Sequence, residues 1–454
     1  MKLLRRLLVG LLALVVIVVI GVVVYLVVAP PMLLRIADGY AAKIVCSNVY
    51  LAGRDATEVL NLDVQAPGNP VLKLVKVDVD KGAGTVTARM LGLFATAMAV
   101  ERPGLGCALA PDGNVAAAKA IALASMPTIA PPGDGLWPDG GKVETDPKVQ
   151  AILGDATLTG PGMRAVVVVR DGHIVGEAYG PGFSADTPLI GWSMSKTVSA
   201  ILLGRVMGQG KIGFDDAALF PEWANDGRKD IKVRDLLGMM SGLAFNEDYG
   251  DVTDVTQMLY LEPDMAGFAA AKPSVKPPGT VFSYSTGTGM MLARLWMSRL
   301  GDEQTALAFP RLALFDPLGM TSAVFEADER GGLEGGSYVY ASGRDWARVG
   351  QFLLQGGVWN GQNLLPDGFV EMMSVSNGQP GGYSKLQTWL EGPTETDSKS
   401  AGLPKDTFWL EGHDGQSAAV IPSARLVVVR LGLTPSDLGY GPEPMIKAIL
   451  AAGG

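Results

Sequence analysis

Residues Leu7 to Val28 read LLVGLLALVVIVVIGVVVYLVV and contain no charged side chain. As a helix, a run of roughly 22 residues reaches about 33 Å at ~1.5 Å per residue, which is the hydrocarbon thickness of a bilayer. The rest of the chain must therefore fold while attached to a membrane, or after passing through one. Lys2, Arg5 and Arg6 precede the run. The positive-inside rule leaves them in the cytoplasm and sends everything after Ala29 across. A cleaved secretory signal is the alternative, but its apolar core would be about 7–15 residues long and would end in small residues. This stretch ends in Val-Val-Ala-Pro-Pro. The expectation is a single-pass protein of the inner (cytoplasmic) membrane, held there by its N-terminal helix, with its body on the periplasmic or extracytoplasmic side.

Export bears on the cysteines. Cys46 and Cys107 both lie beyond the apolar run, where oxidation is permitted. A disulfide between them closes 61 residues of chain and contributes about 4 kcal/mol by the loop-entropy estimate. Two separate buried thiols are the alternative. The net charge of −9, with no basic stripe in the body, gives no electrostatic basis for a nucleic-acid partner. His173 and His413 are the only histidines, and with no clustered thiols they form no recognisable metal site. No cofactor is expected, and composition leaves the oligomeric state open.

Four segments follow from patterning: residues 1–29 as stub and anchor, 30–126 as a small β-rich module, 127–147 as a linker, and 148–454 as one large α/β domain. In the module, Val71 to Asp80 alternates apolar and polar residues, Lys81 to Gly84 supplies a turn, and Thr85 to Val100 returns. The linker PTIAPPGDGLWPDGGKVETDP is dense in Pro, Gly and Asp. In the large domain, AVVVVR at Ala165, then Asp171-Gly172, then HIVGEAYG make an antiparallel hairpin. Ser193 to about Gln355 has mostly helical patterning. Phe408 to Gly412, Gln416 to Ile421 and Leu426 to Leu433 read as three further strands, and Pro444 to Ala452 as a closing helix. The predicted architecture is an antiparallel sheet built from both ends of the domain around a helical insertion.

Three segments carry chemistry. Gly191-Trp192-Ser193-Met194-Ser195-Lys196 precedes the helical run TVSAILLGRVM, so Ser193 and Lys196 share one helix face at its start. A serine hydroxyl is a weak nucleophile until a base takes its proton, and burial can lower a lysine enough to serve as that base. The bland reading is an N-cap serine with a solvated lysine. Tyr284, in Phe282-Ser283-Tyr284-Ser285-Thr286, can relay a proton if its phenol hydrogen-bonds the lysine amine. Gly412-His413-Asp414-Gly415-Gln416 lies between two late strands. There His413 can face a substrate, Gly415 can admit a close backbone approach, and the Gln416 N–H can donate to an oxyanion.

In this order the segments resemble the penicillin-binding-protein and class C β-lactamase-like serine hydrolases, with their S-x-x-K, Y-x-N or Y-x-S, and K-T-G or H-x-G elements. RDLLGMMSGL at Arg234, PLGMTSA at Pro317 and ASGRDWARVGQFLL at Ala341 extend the likeness. The two cysteines and GRDWAR are similar to members known as 6-aminohexanoate-dimer hydrolase-like. The resemblance implies a β-lactamase/transpeptidase-like α/β fold, an antiparallel sheet flanked by helices plus a helical subdomain. It also implies a mechanism: Ser193 as nucleophile, Lys196 and Tyr284 as general base and acid, the N–H groups of Ser193 and Gln416 as oxyanion hole, and His413 and Gly415 at the substrate. Such an enzyme acts on a small-molecule amide or ester through an acyl-enzyme. Thr286 stands where Asn is common and His413 where Lys is. Loss of that cation weakens anion recognition, so esters or amides are expected rather than β-lactams.

Two rivals remain at this stage. An α/β-hydrolase could build a Ser-Asp-His triad from Ser193, Asp345 and His413, although G-x-S-x-G lacks its last glycine and a hairpin, rather than parallel βα units, precedes the serine. A penicillin-binding or peptidoglycan-binding protein that is acylated without turnover is the other. Loops such as Asn246 to Asp254 are expected to shape the pocket.

Overall fold

The computed structural model describes residues 2–66, 68–125, 133–394, 397 and 399–453. The chain divides into two compact units.

The first unit takes Met1–Glu101, Cys107–Lys119 and Asp248–Pro263. Helix α1, Lys2–Val28, is 27 residues long with a mean hydropathy of 3.5 in its most apolar window, and none of that window is buried. It is long and apolar enough to cross a membrane, a property that a signal sequence shares. Helix α2, Met32–Leu51, was not foreseen, because the sequence from Pro30 was read as β-rich. Its buried residues run almost continuously from Ile36 to Val49, so it shows no one-sided apolar stripe to betray a helix. It packs against β2 of an antiparallel sheet ordered β1 (Val75–Asp80), β2 (Thr85–Met90), β3 (Phe94–Arg102) and β4 (Gly106–Leu109). The single returning strand expected over Thr85 to Val100 is thus two. The Asp38 carboxylate accepts the Met90 N–H at 2.9 Å, and Cys46 on α2 is bonded to Cys107 on β4 with Cα atoms 6.0 Å apart. The Asp254–Leu261 helix joins this unit, although the sequence reading kept it within 148–454. Its Tyr260 ring meets Tyr40 edge-on at 5.6 Å.

The second unit takes Arg102–Gly106, Ala120–Glu247 and Asp264–Gly454. Its five-stranded sheet runs Phe408–Gly412, Gln416–Ile421, Leu426–Gly432, Met163–Arg170, His173–Tyr179, every pair antiparallel. Both ends of the domain supply strands, as the patterning predicted. Ala165 to Val169 are all fully buried, because helices cover both faces. Val166 and Val168 meet Val149, Leu153, Met445 and Ile449 of the two terminal helices on one side. Helix Gly343–Leu354 lies on the other. Each such valine contributes about 1.5–3 kcal/mol by leaving water.

Residues 127–132 of the expected linker lie outside the described residues. Beyond them the segment is ordered: Gly133–Leu136 and Gly140–Lys142 pair in parallel, and Trp137 between them is buried. The Arg348 guanidinium lies 5.2 Å from the centre of the Trp137 ring, so one aromatic anchor offsets the turn-prone composition around it.

Candidate active site

The helix Met194–Gly208 is apolar almost all round and nearly every residue is buried, so its position is fixed from every side. Polar contacts set its rotation: Ser195 Oγ accepts the Val339 N–H at 2.9 Å, and Ser199 Oγ accepts the Trp296 indole N–H at 3.1 Å. Ser193 is its N-cap residue, yet the serine side chain makes no capping bond. Its hydroxyl turns to Lys196 instead. This differs from the bland N-cap arrangement on both counts, since Lys196 is only 1% exposed.

The Lys196 Nζ donates to Ser193 Oγ at 2.8 Å, to Thr286 Oγ1 at 3.0 Å and to the Gly336 carbonyl at 2.8 Å. Burial lowers its pKa to about 8, while the negative charge of Glu247 opposes that shift. Thr286 is in turn held by Glu247, whose Oε2 accepts the Thr286 N–H at 2.7 Å and whose Oε1 accepts the hydroxyl. Gly336 reaches the amine because it lies flat against this segment: a Cβ there would stand 2.6 Å from the Thr286 carbonyl.

Tyr284 is at the site, but not bonded as expected. The Lys196 amine sits over its ring, 4.8 Å from the centroid, and the phenol hydrogen-bonds Ser193. Burial raises the phenol well above its usual range, with help from Glu247 and Glu411. Tyr383 at 5.7 Å and Trp389 at 5.1 Å hold the ring in an aromatic wall. Environment thus moves the two groups in opposite directions, the amine downward and the phenol upward.

The strand end Phe408–Gly412 packs directly on the turn that precedes Ser193, where a Cβ at Gly412 would meet the Gly191 carbonyl at 2.1 Å. Trp192, at φ 47°, is in the left-handed region that costs a bulky residue about 1–2 kcal/mol. Its ring contacts Tyr338 at 5.5 Å and His413 edge-on at 5.8 Å. His413 is about half exposed, with Nε2 3.4 Å from the Asp414 carboxylate. Gly415 has φ 79° and the Arg430 guanidinium against it, so both conformation and space require glycine there. The Gln416 side chain binds the turn to the next strand. Its amide N–H reaches the Gly432 carbonyl at 2.6 Å, and its Oε1 accepts the Gly432 N–H at 2.9 Å.

The Ser-Asp-His alternative fails on geometry. Asp345 is buried in a pairing with Arg348 at 3.3 Å and accepts the Ser322 hydroxyl at 2.6 Å, while His413 turns to Asp414 and Trp192. The sheet is antiparallel throughout, unlike that of an α/β-hydrolase. Among the described residues no group of three His, Cys, Asp or Glu side chains converges as metal ligands.

The sequence profile of the Beta-lactamase family matches residues 150–437. The chain belongs to the β-lactamase family. The 6-aminohexanoate-dimer hydrolase of Paenarthrobacter ureafaciens is 24% identical over 299 residues, 60% of this chain and 72% of that protein. A Bacillus anthracis structure assigned as a 6-aminohexanoate-dimer hydrolase superposes with TM-score 0.57 at 20% identity, over 71% of this chain and 89% of its own. A penicillin-binding-protein homologue from Caulobacter crescentus gives TM-score 0.53 at 16% identity, over 69% and 99%. This member of the β-lactamase family is therefore a hydrolase of β-lactamase/transpeptidase-like fold, similar to 6-aminohexanoate-dimer hydrolase.

Within the family framework, Glu247 and the Gly336 carbonyl are parts of the site that sequence reasoning missed. Glu247 fell inside a loop read only as pocket wall, and a backbone carbonyl leaves no signature in side-chain identity.

Proposed function

We propose that the chain is a membrane-anchored, exported serine hydrolase that cleaves an amide or ester through an acyl-enzyme on Ser193. The observation that carries this reading is the buried Lys196 amine, 2.8 Å from Ser193 Oγ and depressed to about 8. In the neutral state Lys196 accepts the serine proton as Oγ bonds to the substrate carbonyl carbon, and the carbonyl π pair moves to its oxygen. The N–H groups of Ser193 and Gln416 receive that oxyanion. Tyr284, kept protonated by burial, gives its proton to the leaving nitrogen or oxygen and recovers one from Lys196. Water repeats the sequence on the acyl-enzyme. His413 and Gly415 border the substrate. Helix α1, preceded by Lys2, Arg5 and Arg6, anchors the protein in the inner membrane with the hydrolase domain on the periplasmic side.

With His413 where the resemblance leads one to expect a lysine, an anionic lactam carboxylate gains little. Ester turnover is expected to exceed lactam turnover, and linear amide dimers are the natural comparison because of the relative's name. The test is a panel of short-chain esters, a linear amide dimer and nitrocefin, with covalent labelling of the active-site serine read by mass. One label on Ser193, abolished together with turnover in Ser193→Ala, is expected; an active Ser193→Ala enzyme refutes the mechanism. A single burst without turnover would mark a binding protein instead. Carbonate extraction and protease accessibility in spheroplasts check the anchor and its side.

A further inference from the structure

A protonated lysine has three N–H groups, and three oxygens receive them here: Ser193 Oγ, Thr286 Oγ1 and the Gly336 carbonyl. Making the base removes one hydrogen. The amine then keeps two N–H groups and gains a lone pair, which needs a partner that carries hydrogen. The Gly336 carbonyl has none. The Thr286 hydroxyl has one, but it is directed to Glu247 Oε1, and the Thr286 N–H fills the other carboxylate oxygen at 2.7 Å. Gripped at both points, Thr286 turns only oxygen lone pairs toward Lys196.

We propose that Glu247 is a positioning residue: by fixing the Thr286 hydroxyl as an acceptor, it orients the neutral Lys196 amine so that its lone pair faces the Ser193 hydroxyl. The proposal rests on the reading of Ser193 as nucleophile and Lys196 as base. The proton then leaves Ser193 Oγ for Lys196 Nζ as Oγ bonds to the acyl carbon, with no second donor competing for the lone pair.

A plainer role for Glu247 is to cap the helix Thr286–Ser298, whose first N–H it receives. Capping would affect melting and leave kcat/KM of the folded enzyme alone, whereas the charge of Glu247 acts on the amine under either role. Positioning affects both alignment and charge. The groups facing Lys196 are Ser193 on its own helix, Thr286 and the Tyr284 ring from the segment before the next helix, and Glu247, the anion that holds the amine pKa up against burial. Glu411, from the edge strand of the sheet, acts on Tyr284.

The experiment compares Glu247→Gln, Thr286→Val and Thr286→Ser in the full-length protein with a neutral chromogenic ester, following kcat/KM against pH, thermal melting and serine labelling. In Glu247→Gln the amide can donate to Thr286 Oγ1 and release the hydroxyl hydrogen toward Lys196. Expected are a loss of about 10–100-fold in kcat/KM, a rising pH limb displaced to lower pH, and one label per chain as before. Thr286→Val, which keeps the shape and lacks the hydroxyl, should lose a similar factor, and Thr286→Ser should restore it. Wild-type kcat/KM in Thr286→Val overturns the proposal, as does a pH limb that stays in place in Glu247→Gln. If Glu247→Gln fails to fold, the threonine pair decides alone. Loss of serine labelling in wild type would instead defeat the underlying reading of Ser193.

Discussion

At the scale of single residues, the proposed mechanism rests on opposed proton affinities. Burial lowers Lys196 to about 8 and pushes Tyr284 upward, which under that proposal lets one group accept and the other donate at the same pH. The sign for activity follows. In the proposed mechanism Lys196 must be neutral to take the serine proton, and its neutral fraction grows as pH rises through about 8. For a neutral ester, kcat/KM should climb with pH, reach half its plateau near pH 8 and level off above it. A profile flat from pH 6 to 10 would remove Lys196 as base. The same residue explains why the Ser-x-x-Lys pair was legible and its surroundings were not. Residue types announce a nucleophile and a base, whereas the Gly336 carbonyl is common to all residues and Glu247 gains its meaning only from what it touches. Tyr284 was found by type, but its bond to Ser193 rather than to Lys196 could come only from coordinates.

At the scale of elements, the Ser193 turn and the His413 turn lock together through two glycines, Gly191 and Gly412. The Gly412 position leaves 2.1 Å between a hypothetical Cβ and the Gly191 carbonyl, and backbone cannot step aside as a flexible side chain can. Gly412→Ala should displace the strand end, cost about 1–3 kcal/mol as overpacking does and reduce kcat/KM by on the order of 100-fold through misplacement of the oxyanion donors. Thermal melting beside ester kinetics reads both, and an alanine variant of unchanged kcat/KM would show that the turns are not locked. The strands of this sheet were readable because their apolar runs are short, rich in valine and bounded by turn residues. Helix α2 was not, since burial on all sides erases the periodic stripe that identifies a helix. The ordered pair around Trp137 was hidden by composition: Pro, Gly and Asp describe turns equally well in a linker and in a tightly folded segment.

At the scale of the whole molecule, the sequence reading divided the chain into consecutive segments, while the structure returns to the first unit from deep inside the hydrolase segment through Asp248–Pro263. Contact along a chain and contact in space differ there, and no local pattern reports it. The first unit also holds the Cys46–Cys107 bond, which links α2, the helix following the membrane run, to β4. Glutathione keeps cytosolic thiols reduced, so under the proposed export this bond is a timestamp: a molecule carrying it would have left the compartment where it was made. Newly made chains sampled after a pulse, trapped with a thiol-blocking reagent and run without reductant, should pass from a reduced to a faster-migrating oxidised form as they cross. In cells with blocked translocation they should remain reduced. On the proposed route the stabilisation of about 4 kcal/mol that such a loop closure provides is absent before crossing and present after it, so the same covalent bond would both record arrival and strengthen the fold.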